Sequence, residues 1–369
     1  MPESRKILYT IPNFDTAGSG KALINIANRL DRSRFEPHIC CSHDRGIFFK
    51  EVIASGIPVH LYQTTLDMIP RMKGLLSGNK LALFFRSLKM DLIHSFHYGP
   101  DYSEPLAARL AGIPWVYTKK NMSWGGKSKN GWKLRTFLAS HILAQNKDMI
   151  NNFFPDKKNV SLVPRGVDTD EFSPKPKDRK LLEKYQIRKD EKVILAVANL
   201  VPVKGIDILL DAFELLAEKN NSIRLLVVGD KENDYGKEME EMAIQSPHSS
   251  RIHFTGKVQN ISDYYSIADV FVLPTLDEGR REGCPVSLLE AMSFEIPSVA
   301  SNVAGIKEIL YDFKDMLFHP GDKNDLKNKI LFELNNRSQV KRKLREHVMR
   351  NFSIGNEVKA HENTYERIL

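Results

Sequence analysis

The chain has 369 residues, of which 42% are hydrophobic and 27% charged, and its net charge is +8. This length accommodates two domains with sizeable cores, and the composition excludes a disordered or low-complexity protein. No apolar run approaches the roughly 20 residues that span a bilayer, and the apolar stretch after Lys6 is too short for a signal-peptide core. We therefore expect no membrane-spanning helix.

In chain order, the first half alternates short apolar strands with amphipathic helices. The predicted strands are residues 7–11, 37–42, 58–62, 92–95 and 115–117, and the predicted helices are 21–30, 48–55, 75–88 and 104–111. Residues 13–20 are predicted to be a loop that contains Gly18 and Gly20. Alternating units of this kind predict an α/β domain with a parallel sheet covered by helices on both faces.

The same alternation restarts at Lys192. Here the predicted strands are 193–198, 223–228, 252–254 and 270–273, and the predicted helices are 206–219, 235–245, 261–268 and 340–350. Between the halves, residues 171–179 carry Pro174 and Pro176 among several charges, which is typical of a linker. The sequence therefore predicts domains at 1–170 and 171–350, followed by a C-terminal segment at 351–369.

The positive charge is concentrated in the first half. Residues 1–170 contain 24 Lys and Arg against 14 Asp and Glu, whereas the remainder contains 30 against 32. A basic half beside a nearly neutral half indicates that the first half meets an anionic partner, with scattered solvated charge as the alternative. Within it, Leu75, Leu81 and Phe85 alternate with Lys80 and Arg86, which predicts a helix that either packs on its own sheet or lies in a membrane interface.

The cysteines and the acidic side chains indicate neither a disulfide framework nor a metal site. Three cysteines form an odd set, and the adjacent Cys40 and Cys41 point to opposite faces of a strand. We therefore expect a reduced, cytoplasmic protein. No His, Cys or Asp cluster has metal-ligand spacing, so we expect no required metal and no cofactor. The Asp-x-Asp pattern at Asp168 and Asp170 is interpreted as the start of a helix.

Two carboxylates, Glu282 and Glu290, stand eight positions apart around a predicted helix start at Pro285. Proline suits the first helical position, and the apolar residues that follow have helical spacing. Because a helix N-terminus can hold a phosphate, a nucleotide diphosphate placed there would have one carboxylate on each side of it. One carboxylate could then accept from a sugar hydroxyl and the other from the ribose. Two solvated surface acids are the alternative.

Several segments resemble the retaining, nucleotide-sugar-dependent glycosyltransferases of family 4, which have the GT-B fold. They are the carboxylate segment 282–292, the strand 270–274 before it, the turn 296–308 after it, the loop 198–205 with Lys204, and the interdomain segment 163–168. The resemblance implies two Rossmann-like, doubly wound domains facing a central cleft. It implies acceptor binding by 1–170, nucleotide-sugar binding by 171–350, and a helix at 351–369 that crosses back to the first domain.

The resemblance also assigns roles to individual residues. It implies catalytic roles for Glu282, which orients the sugar, and for Lys204, which stabilises the leaving diphosphate, while Glu290 would bind the ribose. The remaining implied donor-binding residues are Gly18, Gly20, Asn199, Arg281, Gly283, Cys284, Pro285 and Val286. Asn199 stands where the family carries an arginine, so part of the positive charge is missing or comes from Arg281, Lys119 or Lys120. Cys284 is interpreted as a small space-filler.

Two elements of the first half add candidates. The segment 15–22 lacks the first glycine and the final Ser or Thr of a P-loop, but as a glycine loop it can still present N–H groups to an anion. His97 follows a predicted strand and is a candidate for contact with the donor sugar or an acceptor hydroxyl, with a structural histidine as the alternative. Lys119 and Lys120 stand where many family members carry a Thr-x-His element.

The resemblance implies transfer of a glycosyl unit to an anionic, lipid-linked or saccharide acceptor in the synthesis of cell-surface polysaccharide or glycolipid. The enzyme would be cytoplasmic or peripheral at the inner face of the membrane, would act on no nucleic acid, and would need no metal. Two alternatives remain open: an inactive GT-B scaffold that binds membrane or nucleic acid, and a sugar-nucleotide epimerase.

Overall fold

The structure, a computed structural model, describes residues 4–15, 17–46, 48–66, 71–124, 128–279, 281–336 and 340–369. The chain forms two compact units. The first comprises residues up to Pro164 together with Ile354–Leu369, and the second comprises Arg165–Ser353. The chain therefore passes between the units at 164–165 and again at 353–354.

Within the described residues, the first unit contains a seven-stranded parallel sheet of order β3-β2-β1-β4-β5-β6-β7. Its strands are β1 (Arg5–Thr10), β2 (Phe35–Cys41), β3 (Val59–Leu61), β4 (Leu92–Ser95), β5 (Trp115–Lys119), β6 (His141–Ala144) and β7 (Val160–Leu162). Its helices are α1 (Ala17–Arg29), α2 (Phe49–Ala54), α3 (Arg71–Leu88), α4 (Ser103–Ala111), α5 (Lys129–Leu138), α6 (Lys147–Phe153) and α15 (Ile354–Ile368).

Alternate residues of each strand point to opposite helical layers. In β1, Ile7 and Tyr9 pack in one core with α1, α2 and the C-terminal helix α15, whereas Leu8 packs in a second core with α3, α4 and α5. This period of two is the geometry of a strand buried on both faces. The sheet therefore separates an α1/α2/α15 layer from an α3/α4/α5 layer.

The second unit contains, in its described part, a six-stranded parallel sheet of order β10-β9-β8-β11-β12-β13. Its strands are β8 (Lys192–Val197), β9 (Ile223–Val228), β10 (Ile252–Gly256), β11 (Val270–Leu273), β12 (Ser298–Ser301) and β13 (Leu317–Phe318). Its helices are α7 (Arg179–Lys184), α8 (Ile206–Ala217), α9 (Asp234–Gln245), α10 (Ile261–Ile267), α11 (Val286–Ser293), α12 (Ile306–Ile309), α13 (Lys323–Asn335) and α14 (Lys341–Asn351).

The segment predicted as a linker is packed on the second unit. Phe172 is 2% exposed and lies in the core formed with α11 and α14. The ammonium of Lys175 lies 2.6 Å from a carboxylate oxygen of Asp263, and that of Lys177 lies 3.3 Å from Asp269. The chain instead passes between the units at Pro164, because the polar, proline-containing segment is anchored by its one large apolar side chain.

Residues 168–172 form a turn, which corrects the interpretation of Asp168 as a helix start. A carboxylate oxygen of Asp168 accepts hydrogen bonds from the backbone N–H groups of Asp170 and Glu171, and the backbone N–H of Phe172 donates to the Asp168 carbonyl. An aspartate that caps backbone N–H groups in this way favours a turn as readily as a helix.

Candidate functional site

Lys204 and Glu282 form an ion pair at the carboxyl edge of the second sheet. The Lys204 ammonium contacts Oε1 of Glu282, and the two side chains are 15% and 22% exposed. Lys204 ends a short 3-10 turn that follows β8, and Glu282 lies in the loop that leads from β11 to α11. The structure therefore brings together the two residues predicted to be catalytic in the second unit, in a place that solvent still reaches.

The position of this pair in the sheet is significant. β8 and β11 are neighbours, but the chain runs from β8 outward to β9 and β10 on one side before it returns to β11 on the other. Ligands of open α/β sheets bind outside the carboxyl ends of the strands where the strand order reverses in this way. Lys204 and Glu282 lie on the two loops that flank that reversal.

Two glycines allow the loops of this edge to approach closely. Gly205, with φ +61°, precedes α8, and a Cβ added there would lie 2.2 Å from the Pro274 carbonyl oxygen. Gly305, with φ +82°, precedes α12, and its Cβ would lie 2.5 Å from the carbonyl oxygen of Gly283. Both positions exclude any side chain, so the backbone beside Lys204 and Glu282 is fixed by direct contact between loops.

Glu290 lies on α11 and is held by a tyrosine that the sequence did not single out. The Tyr265 hydroxyl lies 2.8 Å from Oε2 of Glu290 and 3.2 Å from the Ser287 carbonyl oxygen. Burial, together with the Glu290 carboxylate, raises the pKa of Tyr265 well above its usual value. The hydroxyl therefore stays protonated and donates a hydrogen bond to the Glu290 carboxylate. Its ring packs against Phe172 and Phe294. Tyr265 therefore orients Glu290 from a rigid site.

The other predicted donor-binding residues of the second unit lie around these groups. Pro285 is the residue immediately before α11, with φ −73° and ψ 111°, and Gly283 is buried beneath Gly305. Cys284 is buried, with its Sγ 3.9 Å from the Arg165 carbonyl oxygen, and Val286 is half-buried. The loop 283–286 is thus a backbone surface at a helix start, where N–H groups can meet an anion.

Asn199, which stands where the family carries an arginine, and Arg281, a candidate to replace that arginine, differ in exposure and in contacts. Asn199 is exposed after β8, in the loop that leads to Lys204. Arg281 is half-buried, and its guanidinium contacts a carboxylate oxygen of Asp277. Because that carboxylate offsets its charge, Arg281 is a weaker source of positive potential than an unpaired arginine.

Gly18 and Gly20 lie in the first turn of α1, and not in a loop, so the predicted glycine loop is wrong. The helix begins at Ala17, four residues earlier than predicted. A Cβ at Gly20 would lie 2.9 Å from Cδ1 of Phe14, whereas one at Gly18 would meet nothing within 4 Å. Gly20 is therefore required for packing of the helix start against buried Phe14, and Gly18 leaves the helix surface open.

His97 follows β4 and is buried, at 4% exposure. Its Nε2 lies 2.9 Å from the Thr64 hydroxyl, and its carbonyl oxygen accepts from the guanidinium of Arg135. Burial, with the nearby charges of Arg135 and Lys120, lowers the pKa of His97 to about 3. The imidazole is therefore neutral at physiological pH, and this geometry favours the structural alternative over direct contact with a substrate.

Arg135 and Glu104 form a buried charged cluster beneath the loop that carries His97. The Arg135 guanidinium donates to the carbonyl oxygens of Asp101 and His97, and it lies 4.7 Å from the Trp115 ring centroid. The Ser95 hydroxyl donates to Oε2 of Glu104 at 2.7 Å. No sequence pattern indicated this cluster, because Glu104 and Arg135 lie on helical segments where solvated charges are the ordinary expectation.

Lys119 and Lys120, the two other candidate cations, are both engaged within the first unit. The Lys119 ammonium is buried, donates to the Asn121 carbonyl oxygen at 2.6 Å, and lies 4.5 Å from the Phe153 ring centroid. The Lys120 ammonium donates to the Ser19 hydroxyl at 3.0 Å at the start of α1. Lys119 therefore orders its own loop, and Lys120 places a partly exposed cation beside a helix N-terminus.

The described residues hold no grouped metal ligands and no helix of membrane-spanning character. In these ranges, no group of three or more His, Cys, Asp or Glu side chains is arranged to hold a metal ion. Likewise, none of the helices whose residues are described combines the length and the apolarity that crossing a bilayer requires.

Comparisons with known proteins give the family. The family models for glycosyl transferases group 1 and for Glycosyltransferase Family 4 match residues 177–351 and 16–171. The Staphylococcus aureus capsular polysaccharide biosynthesis glycosyltransferase CapH is 30% identical over 85% of this chain and 86% of that protein. The Escherichia coli UDP-Gal:alpha-D-GlcNAc-diphosphoundecaprenol alpha-1,3-galactosyltransferase is 29% identical over 65% of this chain and 64% of that protein. Other curated relatives are matched over about half of their length.

The fold agrees with a solved structure. The crystal structure of Anabaena HepE in complex with UDP and glucose aligns with a TM-score of 0.82 and 21% identity, over 98% of this chain and 99% of that one. The chain therefore belongs to the family 4 glycosyltransferases, and its fold is GT-B.

Proposed function

We propose that the protein transfers a glycosyl unit from a nucleotide diphosphate sugar to an acceptor hydroxyl, with retention of anomeric configuration. The observation that carries the proposal is the Lys204–Glu282 pair on the two loops that flank the strand reversal of the second sheet, with Glu290 on the following helix. A cation, a carboxylate and a helix start at this edge match the three parts of such a donor: phosphate, sugar and ribose.

Each group then has a separate role. Lys204 and the N–H groups at the start of α11 stabilise the negative charge that develops on the leaving diphosphate. Glu282 accepts from a sugar hydroxyl, and Glu290 accepts from the ribose. When the diphosphate takes Lys204 as its partner, the Glu282 carboxylate is released from the ion pair and can accept from the sugar. The bond from the anomeric carbon to the diphosphate breaks as the acceptor oxygen forms its bond on the same face, and the proton of the acceptor hydroxyl passes to the leaving diphosphate.

The acceptor is proposed to be anionic, lipid-linked or saccharide, in the synthesis of cell-surface polysaccharide or glycolipid. The excess of Lys and Arg in residues 1–170 supports an anionic partner. The name of the E. coli relative gives UDP-Gal as its donor and a diphosphoundecaprenol-linked sugar as its acceptor, and CapH is named for capsular polysaccharide biosynthesis. We propose that this enzyme likewise works at the inner face of the membrane, without a metal or a cofactor.

The two alternatives are less well supported. An epimerase is not favoured, because the relatives named above are glycosyltransferases. An inactive scaffold would explain the absence of an arginine at Asn199, but it gives no reason for Lys204, Glu282 and Glu290 to be held at one sheet edge.

The proposal is tested with a panel of UDP-, GDP- and ADP-sugars. Purified protein is screened for a rise in its unfolding temperature, since a ligand that binds the native state stabilises it by mass action. The donor that binds is then incubated with lipid-linked and saccharide acceptors in excess chelator, and the product is examined for an α or β linkage. Binding followed by transfer with retention supports the proposal. Inversion, interconversion of the sugar without transfer, or activity that appears only after Mg²⁺ or Mn²⁺ is restored would contradict it.

A further inference from the structure

The start of α8, which follows Lys204 directly, has no capping side chain of its own. The residue before the helix is Gly205, where an added Cβ would lie 2.2 Å from the carbonyl oxygen of Pro274. The serine, threonine, aspartate or asparagine that commonly caps a helix start therefore cannot stand at this position. Because the first helical residue, Ile206, is fully buried, its backbone N–H needs a partner from elsewhere in the chain.

A tyrosine in the first turn of α9 supplies this cap. The Tyr235 hydroxyl accepts a hydrogen bond from the backbone N–H of Ile206 at 3.1 Å and donates to Oδ1 of Asp207 at 3.1 Å. Burial, together with the Asp207 carboxylate, raises the pKa of Tyr235 above its usual value, so the hydroxyl stays protonated and can donate. One hydroxyl thus satisfies an N–H group and a carboxylate in the first turn of α8, two and three residues after Lys204.

The end of α9 that carries Tyr235 is itself fixed to the loop that follows β9. The side chain of Asn233 accepts from the backbone N–H of Gly236 at 2.9 Å and donates to the carbonyl oxygen of Asp230 at 2.9 Å. A Cβ at Gly236 would lie 2.6 Å from Cα of Lys231, so the first turn of α9 rests directly on this loop. Contacts that do not involve α8 therefore hold the tyrosine in place.

We propose that Tyr235 is a positioning residue for the transfer reaction, because it caps α8 from α9 and thereby holds Lys204 against Glu282. Lys204 ends the 3-10 turn and is separated from α8 by Gly205 alone, so a shift of the helix start moves the lysine. Without the hydroxyl, the first N–H of α8 and the Asp207 carboxylate both lose a partner, and the helix start relaxes to regain one. This inference rests on the proposed function, which gives Lys204 its role at the leaving diphosphate.

The test compares Tyr235→Phe, which removes only the hydroxyl, with the matched control Tyr185→Phe. The Tyr185 hydroxyl lies 3.1 Å from that of Tyr264, in the core on the face of the second sheet opposite to α8. Thermal unfolding first shows that each variant is folded. The rate at which acetic anhydride acetylates Lys204 is then followed by mass spectrometry, which needs neither donor nor acceptor. The single-turnover transfer rate at saturating donor is measured both with Lys204 present and in the Lys204→Ala background.

We expect Tyr235→Phe to raise the acetylation rate of Lys204 several-fold, because a carboxylate partner keeps an amine in its charged, unreactive form. The transfer rate should fall roughly tenfold, since a displaced catalytic group loses its alignment with the reacting atoms. In the Lys204→Ala background the same substitution should change the rate by less than about twofold, because a residue that acts through another has no effect once that other is removed. Tyr185→Phe should leave both rates as in the wild type.

Three results would overturn the proposal. They are an unchanged acetylation rate of Lys204 in Tyr235→Phe, the same change in Tyr185→Phe, and an equal fall in the transfer rate with and without Lys204. The last two would reduce Tyr235 to a residue that stabilises the fold. Faster acetylation with an unchanged transfer rate would support the hold of Tyr235 on Lys204, and would contradict the proposed function instead, since Lys204 would then have no role in transfer.

Discussion

Lys204 is held against Glu282 by an ion pair, and neither side chain belongs to the hydrophobic core of the second unit. We expect Lys204→Ala to lower the single-turnover transfer rate by at least about tenfold, because a hydrogen bond to a charged group contributes roughly 1.5–3 kcal/mol. The free energy of unfolding should change by less than about 1 kcal/mol, as for other partly exposed pairs. Arg281→Ala serves as the matched control, since Asp277 already pairs that guanidinium. A larger loss in Arg281→Ala than in Lys204→Ala would reassign the role.

Tyr265 gives a prediction that separates positioning from packing. Tyr265→Phe removes the hydroxyl that donates to Glu290 but keeps the buried ring. We expect the dissociation constant of the donor to rise roughly tenfold, while the rate of transfer at saturating donor changes much less, because Glu290 is assigned to the ribose. Tyr264→Phe is the control, since its hydroxyl lies 3.1 Å from that of Tyr185 and not near Glu290. Equal effects on donor affinity in both variants would reduce Tyr265 to a packing residue.

The sequence indicated Glu282 and Glu290 because they flank a helix start, where an anion can bind, and it indicated Lys204 because its loop resembles the corresponding loop of the family. It could not predict the Lys204–Glu282 contact, which depends on β8 and β11 being neighbours in the sheet. Tyr265 was missed for a different reason. A buried tyrosine on a short helix has the same pattern as any core aromatic residue, and only the structure shows where its hydroxyl points.

The start of α8 depends on a single glycine. At Gly205, φ is +61° and an added Cβ would lie 2.2 Å from the Pro274 carbonyl oxygen. We therefore expect Gly205→Ala to displace the loop that carries Lys204, with loss of donor binding and a fall in stability of several kcal/mol. Gly321→Ala is the matched control, since φ there is +79° but nothing lies within 4 Å of the added Cβ. It should cost only about 1–2 kcal/mol of backbone strain. Thermal unfolding and donor titration distinguish the two, and an equal, small effect at both sites would contradict the close contact at Pro274.

The loop after β4 makes the stability of the first unit depend on pH. Because the pKa of His97 is lowered to about 3, the unfolded chain binds a proton below about pH 6.5 that the folded chain does not. The contribution of His97 is therefore complete above pH 6.5 and is lost as the pH falls towards 3, with a slope of up to about 1.4 kcal/mol per pH unit.

Urea unfolding of wild-type protein and of His97→Gln between pH 7 and pH 4 measures this slope. Glutamine does not titrate, so the variant should lose less stability on acidification than the wild type. His97 itself does not ionise near neutral pH, so the pH profile of the transfer rate should have the same shape there in both proteins. Parallel curves for the two proteins would mean that His97 is not buried in its neutral form.

Elements with strong local patterns were predicted well. The strands at Leu92–Ser95 and Ile223–Val228 have the predicted bounds, because each is an apolar run between turn residues. The start of α1 was misplaced, since Gly18 and Gly20 are poor helix formers, and the close packing of Gly20 on Phe14 is visible only in the structure. The elements from α5 to β7 were not identified, and in α5 the buried Arg135 interrupts the apolar pattern.

At the level of the whole chain, the alternation of strands and helices was enough to predict two parallel-sheet units. The boundary between the two units at Pro164 was not predicted. The polar segment after Glu171 has the composition of a linker, although Phe172 anchors it in the second core. Composition reports how much of a segment is polar, whereas a boundary depends on which side chains are buried. The excess of positive charge in the first half is also a property that composition reports without showing where the charged side chains lie. It was evident from residue counts, but which of the lysines and arginines are exposed is known only from the structure.

The central claim is that the second unit binds the donor diphosphate through Lys204 and the ribose through Glu290. Its most direct test is a calorimetric titration of UDP, GDP and ADP into the wild-type, Lys204→Ala and Glu290→Gln proteins, in excess chelator. We predict that one nucleotide binds the wild type, and that each variant binds it at least about tenfold more weakly while unfolding at a similar temperature. Wild-type affinity in both variants, or a wild-type protein that binds none of the three nucleotides, would contradict this account.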